Sequence, residues 1–66
     1  MKFNERLKQI RKECGLTQKD VYLLLQVSAN CYASWEQGRT QPDIENLKKL
    51  CKIFDVSSDY LLGITD

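Results

Sequence analysis

The side chains of this 66-residue chain that could do covalent, metal or acid–base chemistry are three cysteines, nine carboxylates and a set of lysines, because histidine is absent. Cys14, Cys31 and Cys51 are an odd number at wide spacing with no C-x-x-C pair, so neither a zinc site nor a disulfide framework is expected. They read as small core or half-buried side chains. The alternative is a reactive thiol at Cys31, close to the start of a helix, although no feature supplies a resolving partner. The carboxylates are scattered at helix starts, where capping accounts for them, and most general-base and nucleophilic schemes lack their usual imidazole. Nothing assembles into a catalytic site. The expectation is a protein that is no enzyme, with no metal, no cofactor and no evident small-molecule ligand.

The elements that would position these residues are helical throughout. The periodicity predicts a first helix from about Phe3 to Glu13, with Phe3, Leu7, Ile10 and Cys14 on one stripe and Gly15 as its stop. Lys2, Glu5, Lys8 and Lys12 fall toward solvent. Thr17 offers a side-chain oxygen as the cap of a second helix, whose first turn is Gln18-Lys19-Asp20 and whose buried stripe is Val21 and Leu25. That helix ends near Gln26. Ser28 repeats the capping logic almost at once, so a third helix runs through Trp35-Glu36-Gln37 to Gly38, and two helices joined so tightly must cross steeply. Arg39-Thr40-Gln41-Pro42 is a loop, since proline disfavours helix in the residue before it. Asp43 caps a fourth helix with Leu47, Leu50, Cys51 and Phe54 on its stripe and Lys48, Lys49 and Lys52 outside. Asp55-Val56 separates it from a last short helix opened by Ser57, holding Tyr60, Leu61 and Leu62, and ended by Gly63. Ile64-Thr65-Asp66 is left as a tail. The expected fold class is all-α, a compact five-helix bundle in which helices 2 and 3 form a helix-turn-helix.

Length and composition agree with a single domain over residues 1–66. At this size folding buries only about 60% of the surface an unfolded chain exposes. The chain is 42% hydrophobic and 29% charged, as in ordinary globular domains. The start Met1-Lys2 leads into a mixed polar stretch and not a signal peptide, and the longest apolar run, Val21 to Leu25, falls far short of the roughly 20 residues that span a bilayer. A cytoplasmic, stand-alone module with no membrane contact is expected. The net charge of +1 hides an asymmetry: residues 1–20 hold six bases and three acids, net +3, whereas residues 21–66 hold four bases and six acids, net −2.

Several stretches, taken in order, carry a resemblance. They are Arg6-Leu7-Lys8-Gln9-Ile10-Arg11, Gly15-Leu16-Thr17-Gln18, Val27-Ser28, Trp35-Glu36-Gln37-Gly38-Arg39, Pro42, and Phe54-Asp55-Val56-Ser57-Ser58-Asp59-Tyr60-Leu61-Leu62-Gly63. Together they resemble the lambda-repressor-like, or Xre/Cro-type, helix-turn-helix family over nearly the whole chain. The resemblance implies a five-helix domain that lays helix 3 in the major groove of double-stranded DNA and works as a homodimer on a two-fold operator with half-sites about 34 Å apart. It further implies base contacts from Ser28, Ala29, Asn30, Ala33 and Ser34, with Asn30 the best direct reader because its amide can pair bidentately with adenine. Gln18, Lys19, Arg11, Arg39 and Thr40 are implied on the DNA backbone, Gln18 with help from its helix N-terminus. Arg11 and Glu36 are implied as a partly buried ion pair. Taken alone, Gln18, Ser28 and Asn30 are also what the first turn of any helix prefers.

The chain departs from that pattern at Tyr22, commonly alanine, at Tyr32, commonly β-branched, and at Gln26, where a turn glycine usually stands. Two rings at one tight crossing are expected to open it or to turn one phenol outward. Ser28 to Gln37 holds no lysine or arginine and one acid, so positive potential must come from helix 1, Lys19 and Arg39, which predicts modest DNA binding through few phosphates. Leu23 and Leu24 replace usually polar outer residues and extend an apolar surface with Tyr22. Leu62 and Ile64 make a second candidate contact surface at the end through which similar proteins often dimerise. The leading expectation is a sequence-specific DNA-binding transcriptional regulator of the phage-repressor type. The other is a helix-turn-helix module whose main partner is another protein, as the neutral helix 3 and the Leu23-Leu24 patch suggest.

Overall fold

The computed structural model describes residues 1–65, so Asp66 of the expected tail lies outside the described residues. The order is α1 (Phe3–Glu13), α2 (Gln18–Leu25), α3 (Ala29–Glu36), α4 (Ile44–Phe54) and α5 (Ser58–Leu61), with no strand among the described residues. No described helix is long and apolar enough to cross a membrane.

Four of the five helix starts have a side-chain cap, and only α1, which follows Lys2, has none. Thr17, Ser28, Asp43 and Ser57 accept hydrogen bonds from the backbone N–H three residues on, and Thr17 and Asp20 complete a reciprocal capping box. The ends share a device too. After α1, Gly15 is left-handed, and the N–H groups of Gly15 and Leu16 return to Lys12 and Arg11. After α2 the same geometry falls on Gln26 (φ 61°), and after α4 on Asp55 (φ 54°). The left-handed residue expected at Gln26 is therefore present, without the glycine that would adopt it freely.

Leu7, Ile10, Val21, Leu25, Tyr32, Trp35, Leu50, Phe54 and Leu61 form the core, so every helix contributes. α3 packs on α1 and α2, α4 on α2, and α5 on α1 and α4. The chain termini close on each other: a Cβ at Gly63 would stand 2.0 Å from the Met1 carbonyl oxygen, so only glycine fits.

Packing corrects the expectation for the cysteines and adds detail in two other places. Cys14 and Cys31 are exposed and only Cys51 is half-buried, so the cysteines are not a core set. The reason at Cys14 is that α1 stops at Glu13 and the chain turns away before the next turn could reach the core. The inner face of α1 instead includes Arg6 and Arg11, 5% and 8% exposed. Arg6 lies over the Tyr60 ring at 4.1 Å and donates from Nε to Met1 Sδ, a cation–π contact joining α1 to α5. Finally, the two tyrosines at the crossing separate. Tyr32 is fully buried edge-to-face on Trp35, ring centroids 5.6 Å apart, while Tyr22 remains half-buried.

Candidate nucleic-acid interface

The tight α2–α3 connection sets the site. α2 ends at Leu25, Gln26 reverses the chain in its left-handed conformation, and Ser28 already caps α3. The first turn of α3 consequently stands out from the body, with Ser28, Ala29, Asn30 and Cys31 exposed. The Ser28 oxygen is used as a cap, accepting from Cys31 N at 3.0 Å, which leaves its hydroxyl hydrogen to donate outward. The Asn30 amide makes no hydrogen bond among the described residues, so both its donor and its acceptor face solvent.

One turn further along α3 the surface becomes concave. Asn30, Ala33, Ser34, Gln37, Arg39 and Thr40 line an open polar hollow of about 430 Å³. Ser34 donates its single hydroxyl hydrogen to the Cys31 carbonyl at 2.7 Å. Thr40 Oγ1 is also hydrogen-bonded to Ser34 Oγ, so Thr40 must be the donor there. Ser34 thus holds the loop against α3, and its own hydrogen is committed. Backbone bonds from Arg39 N and Thr40 N to the Ser34 carbonyl fasten the same corner. Gln37 joins this hollow without having been anticipated. The signal was available, because residues 30, 33, 34 and 37 follow helical spacing along one face.

Behind this surface lies a buried polar network. Arg11 donates to Glu36 through two bonds, Nε to Oε2 at 2.6 Å and Nη2 to Oε1 at 3.1 Å, and through Nη1 to the Leu16 carbonyl at 2.9 Å. Gln18 Nε2 donates to Glu36 Oε1 at 3.1 Å. Glu36 therefore ties the end of α3 to α1 and to the first residue of α2, while Asn4 Nδ2 reaches the Glu36 carbonyl at 3.5 Å. Burial opposes the charged form of Glu36, and its contacts with Arg11, Tyr32 and Gln18 outweigh it, leaving its pKa below the ordinary carboxylate range. The Tyr32 hydroxyl lies close to this pair yet makes no hydrogen bond of ordinary geometry. Burial, then the Glu36 carboxylate, push its pKa far up, so it stays neutral.

These contacts sort the sequence-derived residues. Ser28, Ala29, Asn30, Arg39, Thr40 and Lys19 are exposed, and Gln18, Ala33 and Ser34 are half-buried. Arg11 departs from the expectation of a backbone-contacting residue: it is buried, with three bonds to protein acceptors, so it supports the surface from behind. Leu23 and Leu24 are 60% and 62% exposed, and neighbouring side chains do not cover them. Leu62 and Ile64 stand exposed at the α5 end. Among the described residues no group of three or more Cys, Asp or Glu is placed to hold a metal ion.

Comparison with known proteins adds to this geometry. A helix-turn-helix family model matches residues 7–61. The chain is 42% identical over 63 residues to the HTH-type transcriptional activator BcrR of Enterococcus faecalis, covering 96% of this chain and 31% of that one. It is 38% identical over 63 residues to the HTH-type transcriptional regulator ImmR of Bacillus subtilis, covering 96% and 50%. The crystal structure of a transcriptional regulator from Listeria innocua superposes with a TM-score of 0.89 at 37% identity, covering 98% of this chain and 61% of that one. The chain thus spans half or less of the length of the two curated relatives. The fold and the matched family model agree, and the chain belongs to the Xre/lambda-repressor-like helix-turn-helix family, a DNA-binding family and not an enzymatic one.

Proposed function

We propose that this chain, as one domain over residues 1–66, is a sequence-specific DNA-binding transcriptional regulator of the phage-repressor type that acts in the cytoplasm. α3 enters the major groove of operator DNA, with Asn30 the principal direct reader and Ser28 a second donor. Ala29 and Ala33 offer only methyl contacts to thymine, and Ser34 offers only its acceptor. Gln18, at the N-terminus of α2, takes a phosphate with its remaining amide hydrogen, and Lys19 and Arg39 take neighbouring phosphates, while Thr40, with its hydroxyl and amide hydrogens given to Ser34, holds the Arg39 loop in place. Two copies pair through the α5 end, where Leu62 and Ile64 are 38% and 69% exposed, and meet a two-fold operator with half-sites about 34 Å apart.

The observation that carries this reading is the exposed first turn of α3 beside the hollow that Arg39 and Thr40 help to line. Protruding side chains with unspent donors and acceptors suit base edges, and the adjoining cations suit phosphates. Selection from a random duplex library, followed by a salt titration on the winning sequence, tests it. The expected result is an enriched two-fold motif whose binding weakens with salt at a shallow slope, because few cations take part. No enriched motif and no salt slope at low ionic strength would reject the DNA reading.

A further inference from the structure

Two exposed apolar surfaces away from the α3 edge are lined by opposite charge. On α2, Leu23 and Leu24 are 60% and 62% exposed and line an open surface with Leu16 and Asp20. Asp20 is the only charged residue lining that surface. One of its oxygens accepts from Thr17 N at 2.8 Å, and the side chain is otherwise in solvent. On the other side, Ile44, Leu47, Cys51 and Val56 line an open hollow of about 490 Å³ between α4 and the start of α5, together with Lys48 and Lys52 and with no carboxylate among the lining residues. Lys48 makes an exposed pair with Glu45 at 3.7 Å, a weak contact, and Lys52 makes no ion pair among the described residues.

We propose that a second copy of this chain occupies the α4–α5 hollow, inserting its Leu23 and Leu24 over Ile44, Leu47 and Val56 with its Asp20 beside Lys48 and Lys52. Two exposed leucines laid over the apolar lining of the hollow bury area that each surface alone leaves in water. The charges at the two edges attract where a contact between like surfaces would set Asp20 against Asp20, or lysine against lysine. The contact is heterologous, so each joined pair keeps one unfilled hollow and one free leucine pair and adds further copies unless a ring closes. It is separate from the two-fold pairing at Leu62 and Ile64.

The test is sedimentation of the full chain without DNA, so that its outcome is independent of the DNA reading. A knobless variant carries Leu23→Ser and Leu24→Ser. A second variant spoils the hollow with Ile44→Ser and Lys52→Glu. A third carries all four changes and sets the baseline mass. These positions are exposed, and circular dichroism confirms that each variant folds. The wild type should gain mass above baseline as concentration rises. Each two-residue variant alone should stay at baseline. An equimolar mixture of the two should rise above the baseline mass, because one retains the hollow and the other the leucines. A wild type that stays at baseline up to its solubility limit overturns the proposal, and so does a mixture that stays at baseline while the wild type associates.

Discussion

Arg11 and Glu36, 25 residues apart, meet through two parallel hydrogen bonds, and Gln18 donates to the Glu36 oxygen that Arg11 Nη2 also holds. One carboxylate thereby joins the first three helices behind the candidate DNA surface. Removing a single partner strands the other charge in a buried site, which typically costs about 3–5 kcal/mol. Glu36→Ala should lose that much in chemical denaturation, whereas a well-packed apolar replacement of both partners, Arg11→Met with Glu36→Leu, should recover most of it. A Glu36→Ala protein melting within a degree or two of the parent would contradict the pair's structural weight.

The same carboxylate sets an acid limit. Its folded-state pKa is depressed, so its contribution is complete above the unfolded value of about 4.3 and is lost as pH falls through the lower, folded value. Stability should therefore hold at neutral pH and decline below about pH 4.3. The decline should be shallower in Glu36→Gln, which has no proton to take up there. Urea midpoints measured from pH 7 downward check this, and parallel acid slopes in the two proteins would assign the titration elsewhere.

Gln26 is left-handed at φ 61°, at the turn between α2 and α3. A side chain in that region costs about 1–2 kcal/mol, and glycine returns part of the gain through its larger unfolded-state freedom. Gln26→Gly should stabilise by about 1 kcal/mol, raising Tm by roughly 4–8 °C in a domain of this size. Asp55→Gly, at the matching position after α4, should gain less because aspartate tolerates this conformation better. Calorimetry on both variants decides the order.

On DNA, Asn30 and Arg39 should separate by kind of effect. Asn30→Ala should cost about 1–3 kcal/mol on the preferred sequence and relax preference at one base position. Arg39→Ala should weaken binding to all sequences alike and reduce the slope of log K against log salt by about 0.9. Binding titrations on matched and single-substituted duplexes read both, and a sequence-selective loss for Arg39→Ala would revise its assignment to the backbone.

The helices were legible in the residues because their determinants are local. Apolar spacing on α1 and α4, the caps at Thr17, Ser28, Asp43 and Ser57, and the stops at Gly15 and Gly38 all act within a turn or two of chain. The Arg11–Glu36 pair was legible only through family resemblance, since nothing local links positions 25 residues apart. The tertiary structure decided what depends on distant neighbours. It put Tyr32 inside and left Tyr22 at the margin, buried Arg6 under Tyr60, and gave Gln18 to Glu36. It also exposed Cys14, committed the Ser34 hydrogen inside the loop corner, and left Leu23 and Leu24 uncovered. A side chain's burial and partners depend on which helices cross over it, and packing among all five settles that.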